Sequence, residues 1–312
     1  MLLAAAALIA LVLTVTLPPR PKIFQVLNDI AHAPVLGAFA FIVLRLMRLW
    51  RPAYRIGGYG IAFVTAVVVG ALIEVVQSFI GRDSSWMDLK TDTLGAACVL
   101  GVAAAFDRTL WPTATRAPGR TAVAALAAVC ALWALLPLGQ AGVAYLDRAT
   151  AFPVLAHFST PRDLYFFSGR TTRLSLEPLP APWRHLGDAS SVRIEFLKNL
   201  AWPGLSDDEP EADWRGFSTL LVDVTNPAQT SLDLAVRVHD KAHNQRHTDR
   251  FNRAFDIAPL TRTVLRIPLA DIAAGPVGRP LDLARVAGVV VFKRKPATAD
   301  NQHFYLSKIW LE

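Results

Sequence analysis

The sequence is short of cysteine throughout and short of charged residues in its first half. Two of the 312 residues are cysteines, Cys98 and Cys130, and both lie inside apolar runs, which indicates small buried side chains. Residues 1–149 contain 12 Lys and Arg with 7 Asp and Glu, whereas residues 150–312 contain 20 and 18. This contrast excludes a single soluble enzyme domain, a disordered chain and a purely transmembrane protein.

Several functional signatures are also missing. The net charge of +7 is spread out, and much of it borders apolar segments, where basic residues set membrane topology. The densest run, Lys293-Arg294-Lys295, is too short for a polybasic arm. The sequence contains no Gly-x-Ser-x-Gly motif, phosphate-binding loop or zinc signature. We therefore expect no nucleic-acid partner, no cofactor and no metal, and the sequence names no reaction.

Apolar segments in the first half predict a membrane domain. A span needs about 20 mostly apolar residues. Five segments fit this description: Leu2–Leu17, Ile30–Trp50, Ile56–Ile80, Thr93–Leu110 and Thr121–Leu138. The first has no Lys or Arg before Arg20 and no good cleavage site, so an uncleaved span is favoured over a signal peptide.

The basic residues of the loops predict an orientation. Loops 45–55 and 108–120 carry seven arginines, and the other loops carry five Lys and Arg. The positive-inside rule therefore places the arginine-rich loops in the cytoplasm. With five spans, everything after the fifth faces outward, together with the first and third loops. We expect a multi-pass protein of a bacterial inner membrane, in contact with membrane lipids, with a periplasmic C-terminal domain.

Ionisable residues within membrane spans suggest function by default, because they are costly there. Glu74 and Gln77 lie three apart near the end of the third span, and Asp88 and Asp92 lie one turn apart near the start of the fourth. The topology assigns one face of the membrane to the whole set of candidates: His32, Glu74, Gln77, Arg82, Asp88 and Asp92.

Residues 20–105 resemble the VanZ-like family of membrane proteins. The resemblance is carried by Glu74-x-x-Gln77, Arg82-x-x-Ser85, Asp88-x-x-x-Asp92-x-x-Gly95-Ala96, and the upstream Asn28-Asp29-Ile-Ala-His32. The family pattern has Lys where this chain has Asp29, and usually Asn where it has Asp92. The family is named for low-level resistance to a glycopeptide antibiotic. The resemblance implies a role in the cell envelope and no particular reaction.

The chemistry of this polar set leaves two interpretations open. Arg82 is suited to a phosphate group, and His32 with Glu74 can exchange protons as a general acid and base. The set would then bind, or act on, a polar lipid head group. Alternatively, these residues pair with one another and lock the helices together. A metal site is not expected, because no ligand spacing supports one.

The second half predicts an all-β domain of about eight strands, because apolar and polar residues alternate between turn signals. The predicted strands are Val192–Leu197, Thr219–Val224, Leu232–Val238, Thr263–Ile267, Val286–Phe292 and Phe304–Leu311, with weaker signals at Arg162–Phe167 and Phe251–Ile257. This arrangement favours a β-sandwich of jelly-roll type. The predicted fold is thus an α-helical membrane bundle over residues 1–140, a linker over 141–160 and a β-sandwich over 161–312.

Residues 190–312 resemble a galactose-binding-like jelly roll, similar to the carbohydrate-binding modules attached to agarases. The strand edges carry the resemblance: Trp214-Arg-Gly-Phe-Ser-Thr-Leu-Leu-Val-Asp-Val-Thr-Asn-Pro, Val236-Arg-Val-His-Asp240, Asp249-Arg250-Phe251-Asn252, Val264-Leu-Arg-Ile-Pro-Leu, Val289-Val-Val-Phe and Tyr305-Leu-Ser-Lys-Ile-Trp-Leu. Such modules bind sugars with aromatic platforms and a few polar groups. The candidate ligand-binding residues are Trp183, Trp202, Trp214, Asp240, Arg250, Asn252 and Tyr305. Core or strand-edge packing is the alternative for each tryptophan.

Three histidines, His239, His243 and His247, lie four apart with Asp240 and Asp249 nearby. That spacing would place a metal site on one face of a helix, but this segment is predicted to be a loop. A solvated loop, or contact with a sugar, is the expectation there.

The favoured hypothesis is a VanZ-like inner-membrane protein whose outward β-sandwich binds a glycan, acting on or sensing an envelope saccharide or a lipid-linked glycan. One alternative is an enzyme that acts on a polar lipid head group through the set around His32 and Glu74. Another is an envelope scaffold that binds a second protein. Catalysis is left open.

Overall fold

We analysed a computed structural model of the chain. It describes residues 1–14, 17, 18, 20–51, 56–79, 86–112, 117–169, 171–185, 190–297 and 302–312. The chain divides into two compact units, Met1–Ala141 and Gly142–Glu312. The predicted fold class is confirmed, since the first unit is helical and the second is an antiparallel β-sandwich.

Four helices in the described part of the chain are long and apolar enough to cross a membrane: α2 (Lys22–Trp50), α3 (Ile56–Phe79), α4 (Trp86–Phe106) and α5 (Ala117–Ala151). The first predicted span is the shorter apolar helix α1 (Leu2–Thr14), which has 13 residues. At 1.5 Å per residue it rises about 20 Å, less than the roughly 30 Å of a hydrocarbon core. Where five spans are predicted, the described residues therefore provide four helices of sufficient length.

Small residues allow close packing between α2 and α4. A Cβ atom added at Gly95 would overlap the backbone of Ala33, and one added at Gly37 would lie 2.8 Å from the carbonyl oxygen of Gly95. The buried side chains around this crossing include Leu36, Ala40 and Ala96. Association through small residues is typical of helices in membranes, because it lets backbones approach closely.

The second unit is a two-layer sandwich. One sheet has the strand order β3-β4-β11-β6-β9, with β1 paired to β11, and the other has the order β2-β5-β10-β7-β8. The strands are β1 (Val154–Ala156), β2 (Phe167–Ser168), β3 (Thr172–Pro178), β4 (Ser190–Phe196), β5 (Gly204–Asp207), β6 (Thr219–Asn226), β7 (Leu232–Asp240), β8 (Phe251–Ile257), β9 (Thr261–Pro268), β10 (Val286–Lys293) and β11 (His303–Leu311). A short helix, α6 (Leu269–Ala273), follows β9.

Alternating side chains of both sheets form the core of the sandwich. Trp214, Phe158, Phe304 and Leu234 are fully buried there, with valines such as Val222 from the inner faces. The pattern agrees with the alternation seen in the sequence, in which every second residue of a strand faces the opposite sheet.

Seven of the eight predicted strands are confirmed, and Arg162–Phe167 is wrong. Pro161–Leu164 instead forms a 3-10 helix, because Thr160 and Asp163 make a reciprocal capping box around Pro161. Of the strands that the sequence does not indicate, β1, β2 and β5 have two to four residues, whereas β3 has seven. Within residues 141–160, where a linker is predicted, α5 continues to Ala151 and β1 begins at Val154.

Candidate functional site

Three helices bring three of the predicted polar residues together in the first unit. His32 of α2, Glu74 of α3 and Asp92 of α4 are buried, with relative exposures of 5%, 8% and 1%. Each offers one nitrogen or oxygen atom such that all three atoms lie within 4.8 Å of one another. We call His32, Glu74 and Asp92 the buried triad.

Glycine makes room for the triad. Gly70, Glu74 and Gln77 follow one another at helical spacing, and all three lie on the buried face of α3. A Cβ atom at Gly70 would lie 3.0 Å from Asp92 Oδ2. The carboxylate of Asp92, from α4, therefore occupies the space beside Gly70 that a larger side chain would need. The close approach at Gly95 brings α2, and with it His32, against α4.

Asp92 sits in an unusual environment. Both of its carboxylate oxygens are buried, and neither has a hydrogen-bond partner among the described residues. The nearest described partner is His32, whose Nδ1 lies 3.7 Å from Asp92 Oδ1, too far for a hydrogen bond. Two acceptor atoms in an apolar bundle are thus held close to an imidazole and a second carboxylate.

Two other members of the predicted set, Gln77 and Asp88, lie on the same helices as the triad. Gln77 is buried further along α3, and Asp88 is half-buried one turn before Asp92 on α4. Arg82 lies outside the described residues.

The sandwich places its predicted aromatic residues in different environments. Trp214 is fully buried, and its Nε1 donates to the carbonyl of Glu211, so it is a core residue. Tyr305 is 5% exposed and packs edge-on against His303. Trp183 is half-buried and donates to the carbonyl of Leu260, whereas Trp202 is 68% exposed. Of the four predicted aromatic platforms, only Trp202 presents a largely exposed ring.

Asp240 has a structural partner that the sequence does not indicate. Arg279 donates to both oxygens of Asp240, at 2.6 and 2.9 Å, and its Nε donates to Asp249 at 2.6 Å. Because the Asp240 side chain is fully covered and already paired, it does not face a ligand. Its role is to hold the loop before β10 against the end of β7.

The predicted residues Arg250 and Asn252 lie on the outer face of the five-stranded sheet. One row of register partners crosses this sheet from β8 to β5. It consists of Asn252 in β8, Arg237 in β7, Val290 in β10 and Ser206 in β5. The neighbours of Arg237 along β7, Val236 and Val238, belong to the core, so this row points away from the core. Its side chains are half-buried. We call this surface, including Arg250, the arginine face.

The two arginines of this face have Nε atoms without hydrogen-bond partners among the described residues, although the charge of Asp208 acts on Arg237. Nε of Arg237 and Nε of Arg250 are both buried without a hydrogen-bond partner, and neither guanidinium makes an ion pair with a described residue. Burial and the neighbouring positive charge of Arg250 lower the pKa of Arg237 to about 10. Other sandwich arginines, such as Arg262 and Arg279, are paired with carboxylates.

Polar side chains surround the two arginines. Ser206 and Ser168 donate to the two oxygens of Asp208, at 2.6 and 3.3 Å. His247 Nε2 lies 3.5 Å from Nδ2 of Asn252. The arginine face therefore combines cationic donors with hydroxyl, carboxylate and amide groups. Arg237 is the member that the sequence reasoning missed, although the alternation of Val236-Arg237-Val238 indicates an outward side chain.

The predicted loop around the three histidines is shorter than expected. His239 belongs to β7, where its ring packs on Gly288 and lies 5.0 Å from the ring of His243. Within the described residues, the only cluster with the geometry of a metal site is the buried triad in the helical unit.

No protein-family model matches the chain, and neither does any curated protein. The resemblance to VanZ-like proteins therefore remains a hypothesis.

The C-terminal half is similar to solved structures. An exo-beta-agarase structure matches at 16% identity and a TM-score of 0.41, covering 51% of this chain and 25% of that chain. A family 11 carbohydrate-binding module from Clostridium thermocellum, in complex with a beta-1,3-1,4-mixed-linked tetrasaccharide, matches at 13% identity and a TM-score of 0.37, covering 51% and 93%. The CBM22-1 xylan-binding domain from Paenibacillus barcinonensis Xyn10C matches at 13% identity and a TM-score of 0.34, covering 51% of this chain and 94% of that domain. The chain thus spans about a quarter of the agarase.

Proposed function

We propose that this chain is a membrane protein whose β-sandwich binds an anionic saccharide of the cell envelope on the arginine face. The observation that carries the proposal is the adjacent pair Arg237 and Arg250, whose buried Nε atoms have no partner among the described residues. A buried donor without an acceptor costs free energy, and a bound anion would supply the acceptor.

The chemistry of the arginine face favours a carbohydrate with acidic groups. A guanidinium donates in a planar fork that matches a carboxylate, sulfate or phosphate. Asn252, Ser206 and Asp208 supply the amide, hydroxyl and carboxylate groups that recognise sugar hydroxyls. Half-buried Val290, in the same row, offers an apolar surface for the face of a sugar ring. Uronic acids and phosphorylated sugars combine all of these features.

The helical unit supports the envelope part of the proposal. Four helices have the length and hydropathy of membrane spans, which fits a multi-pass anchor in a bacterial inner membrane. A saccharide-binding domain in the periplasm would meet a cell-wall or lipid-linked glycan there. Trp202, exposed beside β5, is a further candidate contact.

Binding of defined saccharides to the full chain in detergent tests the proposal. We expect binding of an acidic oligosaccharide that weakens at least tenfold in Arg237→Ala and in Arg250→Ala. The double variant should not bind measurably. Neutral oligosaccharides of the same length should bind more weakly than acidic ones. Added salt should weaken the binding of the acidic oligosaccharide more than the binding of the neutral one.

Arg173→Ala is the matched control. Arg173 lies on the other sheet, its side chain is 76% exposed, and its ion pair with Glu195 is long, at 3.7 Å. Its removal should leave binding unchanged. Equal losses in Arg173→Ala and Arg237→Ala, or a folded chain that binds no acidic saccharide, would overturn the proposal. Capture of an envelope protein through the same arginines would support the scaffold alternative instead.

A further inference from the structure

We propose that the buried triad binds a divalent transition-metal ion. His32, Glu74 and Asp92 come from three different helices and direct one imidazole nitrogen and two carboxylate oxygens toward a common point. The site is independent of the arginine face, because it lies wholly within the helical unit.

The state of Asp92 is a second, separate indication. A buried carboxylate is normally hydrogen-bonded or paired, because an isolated charge in an apolar medium is very costly. Asp92 is 1% exposed, and neither of its oxygens accepts a hydrogen bond from the described residues. His32 Nδ1 lies 3.7 Å from Asp92 Oδ1, beyond hydrogen-bond distance. A bound cation would supply the partner that the Asp92 carboxylate lacks among the described residues.

The distances fit a metal after a small adjustment. Zn²⁺ binds histidine nitrogen and carboxylate oxygen at about 2.0–2.2 Å, so tetrahedral ligand atoms lie about 3.4 Å apart. The His32–Asp92 pair, at 3.7 Å, is already close to that value, and all three atoms lie within 4.8 Å of one another. Metal binding would require the widest of these separations, at most 4.8 Å, to shorten to about 3.4 Å.

The donor set selects the class of ion. Imidazole suits zinc and iron, among other transition metals, whereas carboxylates suit harder ions such as manganese. Sodium and potassium prefer neither arrangement, and the imidazole makes magnesium and calcium poor fits. We therefore assign the site to Zn²⁺, Mn²⁺ or Fe²⁺. Three protein ligands leave at least one position open for water or a ligand oxygen, which is the arrangement of reactive rather than structural sites.

The packing around the triad preserves the geometry that a metal needs. Gly70 leaves the space that Asp92 Oδ2 occupies, and a methyl group there would lie 3.0 Å from that oxygen. Gly95 allows α2 to approach α4, which sets the separation between His32 and Asp92. A lock built of hydrogen bonds among the described residues would not leave both oxygens of Asp92 without donors.

Metal analysis of the full chain, purified in detergent without chelator, is the first experiment. We expect about one equivalent of zinc, manganese or iron per chain, lost after EDTA treatment and restored by adding one of these ions. Rebinding should raise the Tm of the chain. Cobalt, used as a probe, should give the visible absorption bands of a site with nitrogen and oxygen ligands.

Two isosteric variants separate a metal site from a structural lock. Asp92→Asn and Glu74→Gln each remove one anionic ligand, so we expect metal affinity to fall at least tenfold and the cobalt bands to change. Asp29→Asn is the control, because Asp29 lies one turn before His32 on α2, is half-buried and is not one of the three ligands. It should bind metal as the unaltered chain does.

The alternative outcomes are equally definite. If the unaltered chain holds no metal, shows no Tm shift with any of the three ions and gives no cobalt spectrum, the proposal is wrong. Equal metal content in Asp92→Asn, Glu74→Gln and the unaltered chain would mean that adventitious binding elsewhere explains the signal. Neither outcome affects the saccharide proposal, whose test uses the same full chain but varies residues of the other unit and measures a different ligand.

Discussion

At the scale of single residues, Arg279 shows how one side chain can join segments that are distant in sequence. Its guanidinium bridges Asp240 at the end of β7 and Asp249 in the loop before β8. Backbone N–H groups of Asp282 and Asn244 donate to the same two carboxylates. The loop that carries Arg279 is thereby held against the edge of the sandwich.

Replacing Arg279 is predicted to destabilise the sandwich. Arg279→Ala leaves the covered carboxylate of Asp240 without its main partner. Breaking a buried pair costs about 3–5 kcal/mol, and because the Arg279 side chain is 29% exposed we expect a smaller loss, of about 2–3 kcal/mol. Denaturant unfolding followed by the fluorescence of buried Trp214 measures this loss. Arg285→Ala, at an exposed side chain with a 3.9 Å contact, should cost less than about 0.5 kcal/mol.

The same pair predicts a pH dependence with a definite sign. Burial, the strongest influence on Asp240, raises its pKa, but the hydrogen bonds from Arg279 and Asp282 together lower it below the ordinary 3.8. Asp240 therefore contributes stability that is fully present above pH 4 and is lost as the pH falls through the depressed pKa. The unaltered chain should lose more stability between pH 4 and pH 2 than Arg279→Ala does. Equal slopes for the two proteins would show that Arg279 does not lower this pKa.

The sequence predicts Arg250 and Asn252 as ligand-binding polar groups at a strand edge. Both lie on the arginine face, and their binding role stays a prediction. Trp214 and Asp240 were chosen by the same reasoning, but one fills the core and the other is covered by Arg279. Composition could not separate these cases, because a partner from a distant loop decides which polar group is covered.

At the scale of elements, the crossing of α2 and α4 depends on glycine. The Cβ of any larger residue at Gly95 would overlap the backbone of Ala33, so the two helices would have to separate. We expect Gly95→Ala to destabilise the helical unit by about 1–3 kcal/mol, the range for an overpacked contact. Thermal unfolding of the full chain in detergent measures the change. The variant should also weaken metal binding, because Ala33 adjoins His32.

Gly60→Ala provides the comparison for this prediction. A Cβ atom at Gly60, on α3, would meet nothing within 4 Å. Since alanine favours a helix over glycine by roughly 0.5–1 kcal/mol, this variant should be neutral or slightly stabilising. A similar loss in both variants would show that the helix crossing is not what Gly95 protects.

The elements show where sequence patterns are sufficient and where they are not. Strands with at least two inward-facing hydrophobic residues, such as β6 and β10, can be recognised from the alternation of apolar and polar residues alone. Among the strands missed, β5 has four residues and owes its position to pairing with β10 and β2, whereas the seven-residue β3 pairs with β4. The sequence predicts the buried triad as part of a polar set, but it does not predict how close the three side chains come to one another. Each residue comes from a different helix, so no spacing along the chain indicates their proximity.

At the scale of the whole molecule, each unit has a hydrophobic core of its own. One core lies within the sandwich and includes Trp214 and Phe304, and the other lies among the helices and includes Leu36 and Leu44. Separate cores allow a water-soluble domain and a membrane anchor to be joined in one chain. The saccharide proposal then requires that the sandwich lie outside the cytoplasm.

Membrane topology is the prediction on which that requirement depends. Between Arg51, in the arginine-rich loop, and Glu312 lie α3, α4 and α5, so three crossings put the two positions on opposite sides regardless of α1. The positive-inside rule places Arg51 in the cytoplasm. Alkaline phosphatase, which is active only after export, should therefore be active when fused after Glu312 and inactive when fused after Arg51. The reverse result would put the sandwich in the cytoplasm, away from envelope glycans, and equal activity at both positions would mean that one of the three helices does not cross.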